Sequence, residues 1–220
     1  FLNKCGALIK LTNRTITIKG VKELKLNDYK IIPDRIEAGS YILATMATKG
    51  RIKLNNFNPK DLALPLKLYK GMGLKIKKLS NSSYEIYCKT LKPIKKISTK
   101  EFPGYPTDLQ AQLIATQLKS GLKSKVVENI FENRFIHIPE LRRFGANLSI
   151  KGNTVTIDKT SDLLGAEVMA TDIRASFSLI IAAMMSKGKT VINRIYHLDR
   201  GYEDFDLKLK KCGVNISRKK

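Results

Sequence analysis

An α+β fold built from repeats of about 70 residues is predicted by three features of the sequence. A helix-end signature recurs four times, period-2 alternation follows it, and Ala-rich apolar stretches lie between the copies. The signature is a Leu or Tyr, two mostly basic positions, one variable apolar position, Gly, two residues, then Ile or Leu. It spans residues 2–9, 69–76, 141–148 and 209–216, with Gly6, Gly73, Gly145 and Gly213 spaced by 67, 72 and 68 residues. Each copy reads as a last helical turn, a glycine in the left-handed position after it, and entry into a strand.

In chain order the elements follow from this frame. Thr15-Ile16-Thr17-Ile18 alternates as a strand covered on one face. The marker Arg35-Ile36-Glu37-Ala38 opens a helix that runs to Gly50, and Arg51-Ile52-Lys53-Leu54 continues as a strand. After Gly73 comes the strand Tyr84-Glu85-Ile86-Tyr87. The second unit repeats the order, with Asp108-Leu109-Gln110-Ala111 opening a helix to Gly121, a strand Lys125-Val126-Val127-Glu128, a helix from near Pro139, and the strand Thr154-Val155-Thr156-Ile157. The third has Asp172-Ile173-Arg174-Ala175, a helix to Gly188, and Lys189-Thr190-Val191-Ile192. The helices opened by these markers are expected to be about four turns long and buried around much of their circumference, since apolar residues dominate them. Helices packed against sheets through right-handed crossovers are therefore expected. Cys5 and Cys212 share the slot of Met72 and Phe144 just before the glycine, which marks that slot as buried and apolar. Phe1 starts inside a helix end, so the chain is expected to be the C-terminal part of a longer protein.

Composition narrows the functional classes. With 220 residues, 43% of them apolar, the chain can bury a core, which excludes intrinsic disorder. No run of 18 uncharged apolar residues occurs, so neither a membrane span nor a secretory signal is expected. Cys5, Cys88 and Cys212 stand far apart without a CxxC pair, which disfavours zinc and disulfides and predicts a reducing, cytoplasmic setting. The formal charge of +22 invites a nucleic-acid reading. Only 10 of the 41 basic residues are Arg, however, and residues 1–100 carry 22 basic against 6 acidic groups while the rest carry 19 against 13. The excess thus reads as a lysine-rich solvated surface, which disfavours a nucleic-acid partner.

What the repeat does not require points to a site. The rigid loop from Phe102 to Asp108 delivers Asp108 to a helix N-terminus, where Asp108 or Thr107 can also act as a plain cap. Two polar loops, residues 128–137 and 193–203, follow equivalent strands, at the ends where open sheets bind ligands. Arg134, Arg174 and Arg200 fall in these loops or at the equivalent helix start. Three guanidiniums near one carboxylate suit a small anion bearing a phosphate and a carboxylate, the alternative being structural pairing with Glu132, Asp172 and Asp199. His137 and His197 lack metal-ligand spacing and read as hydrogen-bonded scaffold.

Phe102-Pro103-Gly104-Tyr105-Pro106-Thr107-Asp108-Leu109-Gln110-Ala111-Gln112, Phe131-Glu132-Asn133-Arg134-Phe135, Ala170-Thr171-Asp172-Ile173-Arg174-Ala175-Ser176 and the run from Arg194 to Glu203 resemble, in order, the enolpyruvyl transferases. Within them the Phe131–Phe135 and His197–Gly201 segments favour the branch acting on UDP-N-acetylglucosamine over the shikimate branch. The resemblance covers essentially the whole chain and implies part of a two-domain inside-out α/β barrel. Residues 1–32 would finish an incomplete first lobe, and residues 33–220 would form a near-complete second lobe. It further implies transfer of the enolpyruvyl group of phosphoenolpyruvate to the sugar 3-hydroxyl, the first committed step of peptidoglycan synthesis and so of cell-wall growth and division. Addition comes first, and phosphate is then eliminated. By the same resemblance Asp108 accepts the hydroxyl proton, Ile130 contacts the nucleotide sugar, and Arg134, Arg174 and Arg200 surround the phosphoenolpyruvate anion. No metal or organic cofactor is implied. The family's reactive cysteine and Lys-Asn pair lie in an N-terminal half that this chain lacks, so the chain alone is expected to be inactive.

Overall fold

The computed structural model describes residues 1–26 and 28–219. All four signature glycines lie in the left-handed region, with φ of 96° at Gly6, 110° at Gly73, 86° at Gly145 and 89° at Gly213. At the last, Gly213 N–H donates to Lys210 O (3.0 Å) and Val214 N–H to Leu209 O (3.1 Å), the paired closure of a helix C-terminus. The same freedom is not always used by a glycine. After the first long helix Lys49 takes the positive φ (53°), and Gly50 follows in ordinary backbone.

The chain divides into two compact units, Phe1–Pro33 and Asp34–Lys220. The first holds a 3-10 turn (Leu2–Cys5) and an antiparallel hairpin, β1 (Leu8–Thr12) and β2 (Thr15–Lys19). Asn13 supplies its turn at φ 55°.

The second unit runs through the repeat in order. First come α1 (Arg35–Ala47), β3 (Arg51–Leu54), α2 (Ala63–Gly71), β4 (Leu74–Lys78) and β5 (Tyr84–Cys88). Next are β6 (Lys96–Ser98), α3 (Gln110–Gln117), β7 (Ser124–Val127), α4 (His137–Arg143), β8 (Leu148–Lys151) and β9 (Thr154–Ile157). The last set is β10 (Glu167–Met169), α5 (Ala175–Met185), β11 (Val191–Asn193), α6 (Tyr196–Asp199) and α7 (Phe205–Lys211). The sheets are β3-β5-β4, wholly antiparallel, then β6-β7-β9-β8, with β6 and β7 parallel, and the parallel pair β10-β11.

Helices α1, α3 and α5 contact one another, with α1 against β3 and β5 and α3 against β7. Burial of α3 is complete over all eight residues, Gln110, Gln112, Thr116 and Gln117 included, and α5 is buried from Ala175 to Ala182, as its apolar sequence requires. Large side chains such as Phe144, Phe177 and Phe205 are fully buried, each removal from water stabilising by about 1.5–3 kcal/mol. One polar knot ties α1 and α3 to the loop after α6. Ser40 Oγ and Tyr202 OH are 2.8 Å apart, and Gln112 Nε2 donates to Ser40 Oγ (3.1 Å) and Tyr202 OH (3.2 Å).

Helix α4 begins at His137, near the expected start, with Pro139 in its first turn, where no intrahelical donor is needed. Three sequence expectations need correction. Helices α3 and α5 are shorter than four turns; α3 stops because its end tightens into i→i+3 bonds, Leu118 N–H to Ala115 O and Ser120 N–H to Gln117 O. Residues 214–219 form no strand, because no ladder partner lies beside them among the described residues. Cys212 is exposed, unlike Cys5, Met72 and Phe144, for it lines an open cavity instead of facing a hairpin.

Gly165 marks a close backbone crossing just before β10. A Cβ there would sit 2.2 Å from Lys189 O, and its N–H donates to Lys187 O at 2.7 Å. Gly165→Ala is expected to cost about 1–3 kcal/mol, read as a lower urea midpoint. An unchanged midpoint would show that the crossing yields freely.

Candidate active site

Asp108 reaches its place through the loop ahead of α3. Tyr105, 1% exposed, pins that loop by bonding Tyr69 OH (2.8 Å) and Leu109 O (3.2 Å), and Phe102–Pro103 is a cis peptide. Asp108 follows within the 3-10 turn Thr107–Leu109, whose N-cap Pro106 provides no side-chain bond. Its carboxylate faces guanidiniums instead of capping amides. Arg134 Nη2 donates to Asp108 Oδ1 at 2.7 Å, and Arg174 Nε lies 3.9 Å from Oδ2. Capping falls to other aspartates. Asp34 accepts from Ile36 N and Glu37 N at the head of α1, and Asp172 from Arg174 N and Ala175 N at the head of α5.

A buried carboxylate that the sequence does not single out organises this cluster. Glu128, 2% exposed, accepts from Thr99 Oγ1 (2.9 Å), Thr107 Oγ1 (2.8 Å), Ile130 N (2.8 Å) and Phe131 N (3.2 Å). Thr107 Oγ1 in turn accepts from Arg134 Nη1 at 3.0 Å. Thr107 is therefore no helix cap; it links Glu128 to Arg134. Phe131 lies under the Arg134 guanidinium at 4.9 Å, and Ile130, half-buried, is held at the loop start by Glu128.

Arg174 reaches Asp34 Oδ2 at 3.8 Å and lies over the Tyr202 ring at 5.6 Å, with Nη1 buried and unpartnered among the described residues. That leaves a donor for an anion. Arg200 is not brought into contact with Asp108; it is exposed at the end of α6 and pairs with nothing among the described residues. Its neighbour Gly201 adjoins Arg174, since a Cβ on Gly201 would lie 3.6 Å from Arg174 Nη1. The structural pairings open in the sequence do not form. Asp172 caps, and Asp199 binds Arg218.

Neither histidine behaves as hydrogen-bonded scaffold. Both ring nitrogens of His137 and Nε2 of His197 lack partners among the described residues. Burial, then the Arg134 charge, holds His137 down to about 3 from its usual 6.5. Between those values the unfolded chain binds the proton that the folded chain refuses. Stability from this group is thus present above pH 6.5 and lost as pH falls towards 3, by up to about 1.4 kcal/mol per pH unit. Replacing His137 with Leu should flatten the acid loss between pH 6.5 and 4.5 in urea titrations. A parallel loss in both proteins would contradict this assignment.

A chain whose repeated units surround three buried helices, with a carboxylate set between guanidiniums at loop ends, matches a known class. A profile of the family EPSP synthase (3-phosphoshikimate 1-carboxyvinyltransferase) matches residues 1–209, and the chain belongs to that family. Among curated relatives, the UDP-N-acetylglucosamine 1-carboxyvinyltransferase of Pelagibacter ubique (strain HTCC1062) is 49% identical over 99% of this chain and 52% of that protein. Proteins of the same name from Campylobacter hominis and Bartonella henselae are each 44% identical over 99% of the chain. The chain spans about half the length of the curated relatives it matches. In fold it is similar to the enolpyruvyl transferase NikO from Streptomyces tendae, with a TM-score of 0.85 at 24% identity over 98% of this chain and 52% of that one. The EPSP synthase from Acinetobacter baumannii superposes with a TM-score of 0.73 at 15% identity, covering 100% of this chain and 54% of that one. The expected α+β fold, shared with the enolpyruvyl transferases, is thereby shown.

Proposed function

We propose that this chain supplies the C-terminal half of an enzyme that transfers the enolpyruvyl group of phosphoenolpyruvate to the 3-hydroxyl of UDP-N-acetylglucosamine, releasing phosphate, in the cytoplasm and on the route to peptidoglycan. Unit Phe1–Pro33 is the end of one lobe and unit Asp34–Lys220 the body of the other. The observation that carries the chemistry is the Asp108 carboxylate at 2.7 Å from one guanidinium and 3.9 Å from another, 39% exposed and open to a substrate. The acceptor is argued from the names of the relatives.

Asp108 takes the proton of the hydroxyl as its oxygen adds to C2 of phosphoenolpyruvate, while C3 gains a proton. Arg134, Arg174 and Arg200 hold the carboxylate and phosphate of the resulting tetrahedral adduct, where fixed positive charge lowers its energy. Breaking the C2–O bond to phosphate and losing the C3 proton yields the enolpyruvyl ether. Ile130 lines the nucleotide-sugar side, and Glu128 keeps that loop and Thr107 in register. Among the described residues no helix is long and apolar enough to cross a membrane.

The test is phosphate release by the chain combined with the remaining half of a relative, offered either UDP-N-acetylglucosamine or shikimate 3-phosphate. Release with the nucleotide sugar alone is expected. Release with shikimate 3-phosphate alone would overturn the acceptor.

A further inference from the structure

Arg218 uses all three of its guanidinium nitrogens on two carboxylates. Nη1 donates to Asp199 Oδ2 at 3.0 Å, Nη2 donates to Asp199 Oδ1 at 2.5 Å, and Nε lies 2.9 Å from Asp206 Oδ1. The grip on Asp199 is the two-pronged fork that a lysine cannot make, and its hydrogen bonds hold the Asp199 carboxyl pKa below its ordinary value. The guanidinium also lies 5.0 Å over the ring of Phe205, itself 1% exposed.

What Arg218 grips is the end of α6. That helix is a single turn of four residues, too short to hold itself together, and Asp199 closes it with the charge that a helix C-terminus disfavours. Helix stability alone therefore gives no reason for a carboxylate at this position. Next in sequence stands Arg200, exposed and paired with nothing among the described residues.

The backbone on the far side of Arg200 is equally constrained. Gly201 N–H and Tyr202 N–H both donate to Leu198 O, at 3.0 and 2.9 Å. A Cβ on Gly201 would meet Ile173 Cγ2 at 2.3 Å, so this backbone lies flat on the residue before Arg174. The Tyr202 hydroxyl is tied to Ser40 and Gln112. Arg200 is thus held on both flanks while its own side chain is free, close to Arg174, whose Nη1 is buried and unpartnered among the described residues.

We infer that Arg218 is a positioning residue for Arg200. Its clamp on Asp199 and Asp206 fixes the end of α6, and with it the direction from which Arg200 joins Arg174 Nη1 on one small anion bearing a phosphate and a carboxylate. The nature of that anion rests on the function proposed above. A purely structural staple is the alternative, and the two differ in what they move. Exposed ion pairs contribute little to global stability, and Arg218, Asp199 and Asp206 have side chains 39%, 41% and 16% exposed. A displaced cation, by contrast, weakens its hold on a ligand steeply.

The chain is mixed with the separately produced remaining half of the Pelagibacter ubique relative, and phosphoenolpyruvate binding is read by titration calorimetry, which needs no turnover. Arg218→Ala is expected to weaken that binding roughly tenfold while the affinity for UDP-N-acetylglucosamine and the urea midpoint of the chain stay unchanged. In an Asp199→Asn background the same substitution should cost less than about threefold, because the carboxylate it acts through is gone. Arg218→Lys keeps the charge but not the fork and should recover little of the loss. Where phosphate is released, the same factor should appear in KM for phosphoenolpyruvate and not in KM for the nucleotide sugar.

Equal weakening of both substrates, an unchanged phosphoenolpyruvate affinity with a lowered urea midpoint, or equal effects of Arg218→Ala in the two backgrounds would each overturn the proposal. Full recovery in Arg218→Lys, or no phosphoenolpyruvate binding by the unsubstituted mixture, would overturn it too. A selective, coupled loss of binding in a mixture that releases no phosphate would leave it standing and sink the proposed reaction.

Discussion

Asp108→Asn, in the chain combined with its complementing half, is expected to lower kcat by about 10²- to 10⁴-fold while substrate affinity changes little. The side chain keeps its shape and can still accept from Arg134 Nη2 through its amide oxygen, which now bonds at 2.7 Å to a carboxylate oxygen. What it loses is the capacity to take a proton from the sugar hydroxyl and the negative charge opposite Arg174. A structural role alone would instead move stability, since Asp108 lies in a 3-10 turn that its side chain does not cap. Steady-state phosphate release alongside a urea titration separates the two. A variant with normal kcat and reduced stability would assign Asp108 to folding.

The second large effect is expected from the chain by itself, which should release no phosphate above the uncatalysed rate even at saturating substrate. In the proposed reaction this half holds the substrate from one side only. Among the described residues Arg174 Nη1 is unpartnered and Arg200 is exposed, so two of the three proposed anion-binding groups are free to hold a ligand from one face. A surface of that kind binds weakly, because the substrate keeps much of its hydration, and water is not excluded from the reacting atoms. Adding the complementing half should raise turnover from undetectable to a measurable steady rate. Turnover by the isolated chain would mean that Asp108 and its arginines are sufficient.

Much of the fold was legible because its punctuation is local. A glycine forced to positive φ after a helix leaves the same mark at Gly6, Gly73, Gly145 and Gly213 wherever it occurs in the chain. A buried helix such as α5 declares itself by its nearly unbroken apolar sequence, whereas α3 buries three glutamines and a threonine that its sequence alone would place in water. Within the site, Arg134 and Arg174 were legible as scarce arginines in a lysine background, and they do converge on Asp108. Glu128 was not, because nothing in a polar loop distinguishes a carboxylate that ends up buried with four donors from one that faces water. The same limit explains the aspartates. Asp34, Asp108 and Asp172 all precede helices, yet only Asp34 and Asp172 cap, since the 3-10 turn turns Asp108 towards Arg134. Cys212 misled because its slot is buried only when a hairpin packs over it, and the segment after Gly213 forms no strand among the described residues.

The account turns on whether the carboxylate and its guanidiniums form half of a transferase site. Its most direct measurement is the amount of phosphate released, against the amount of nucleotide sugar converted to its enolpyruvyl ether, when this chain, the complementing half, phosphoenolpyruvate and UDP-N-acetylglucosamine are combined. Equal amounts of the two products, lost together in Asp108→Asn, are predicted. A stable complex that binds both substrates and yields neither product would contradict it.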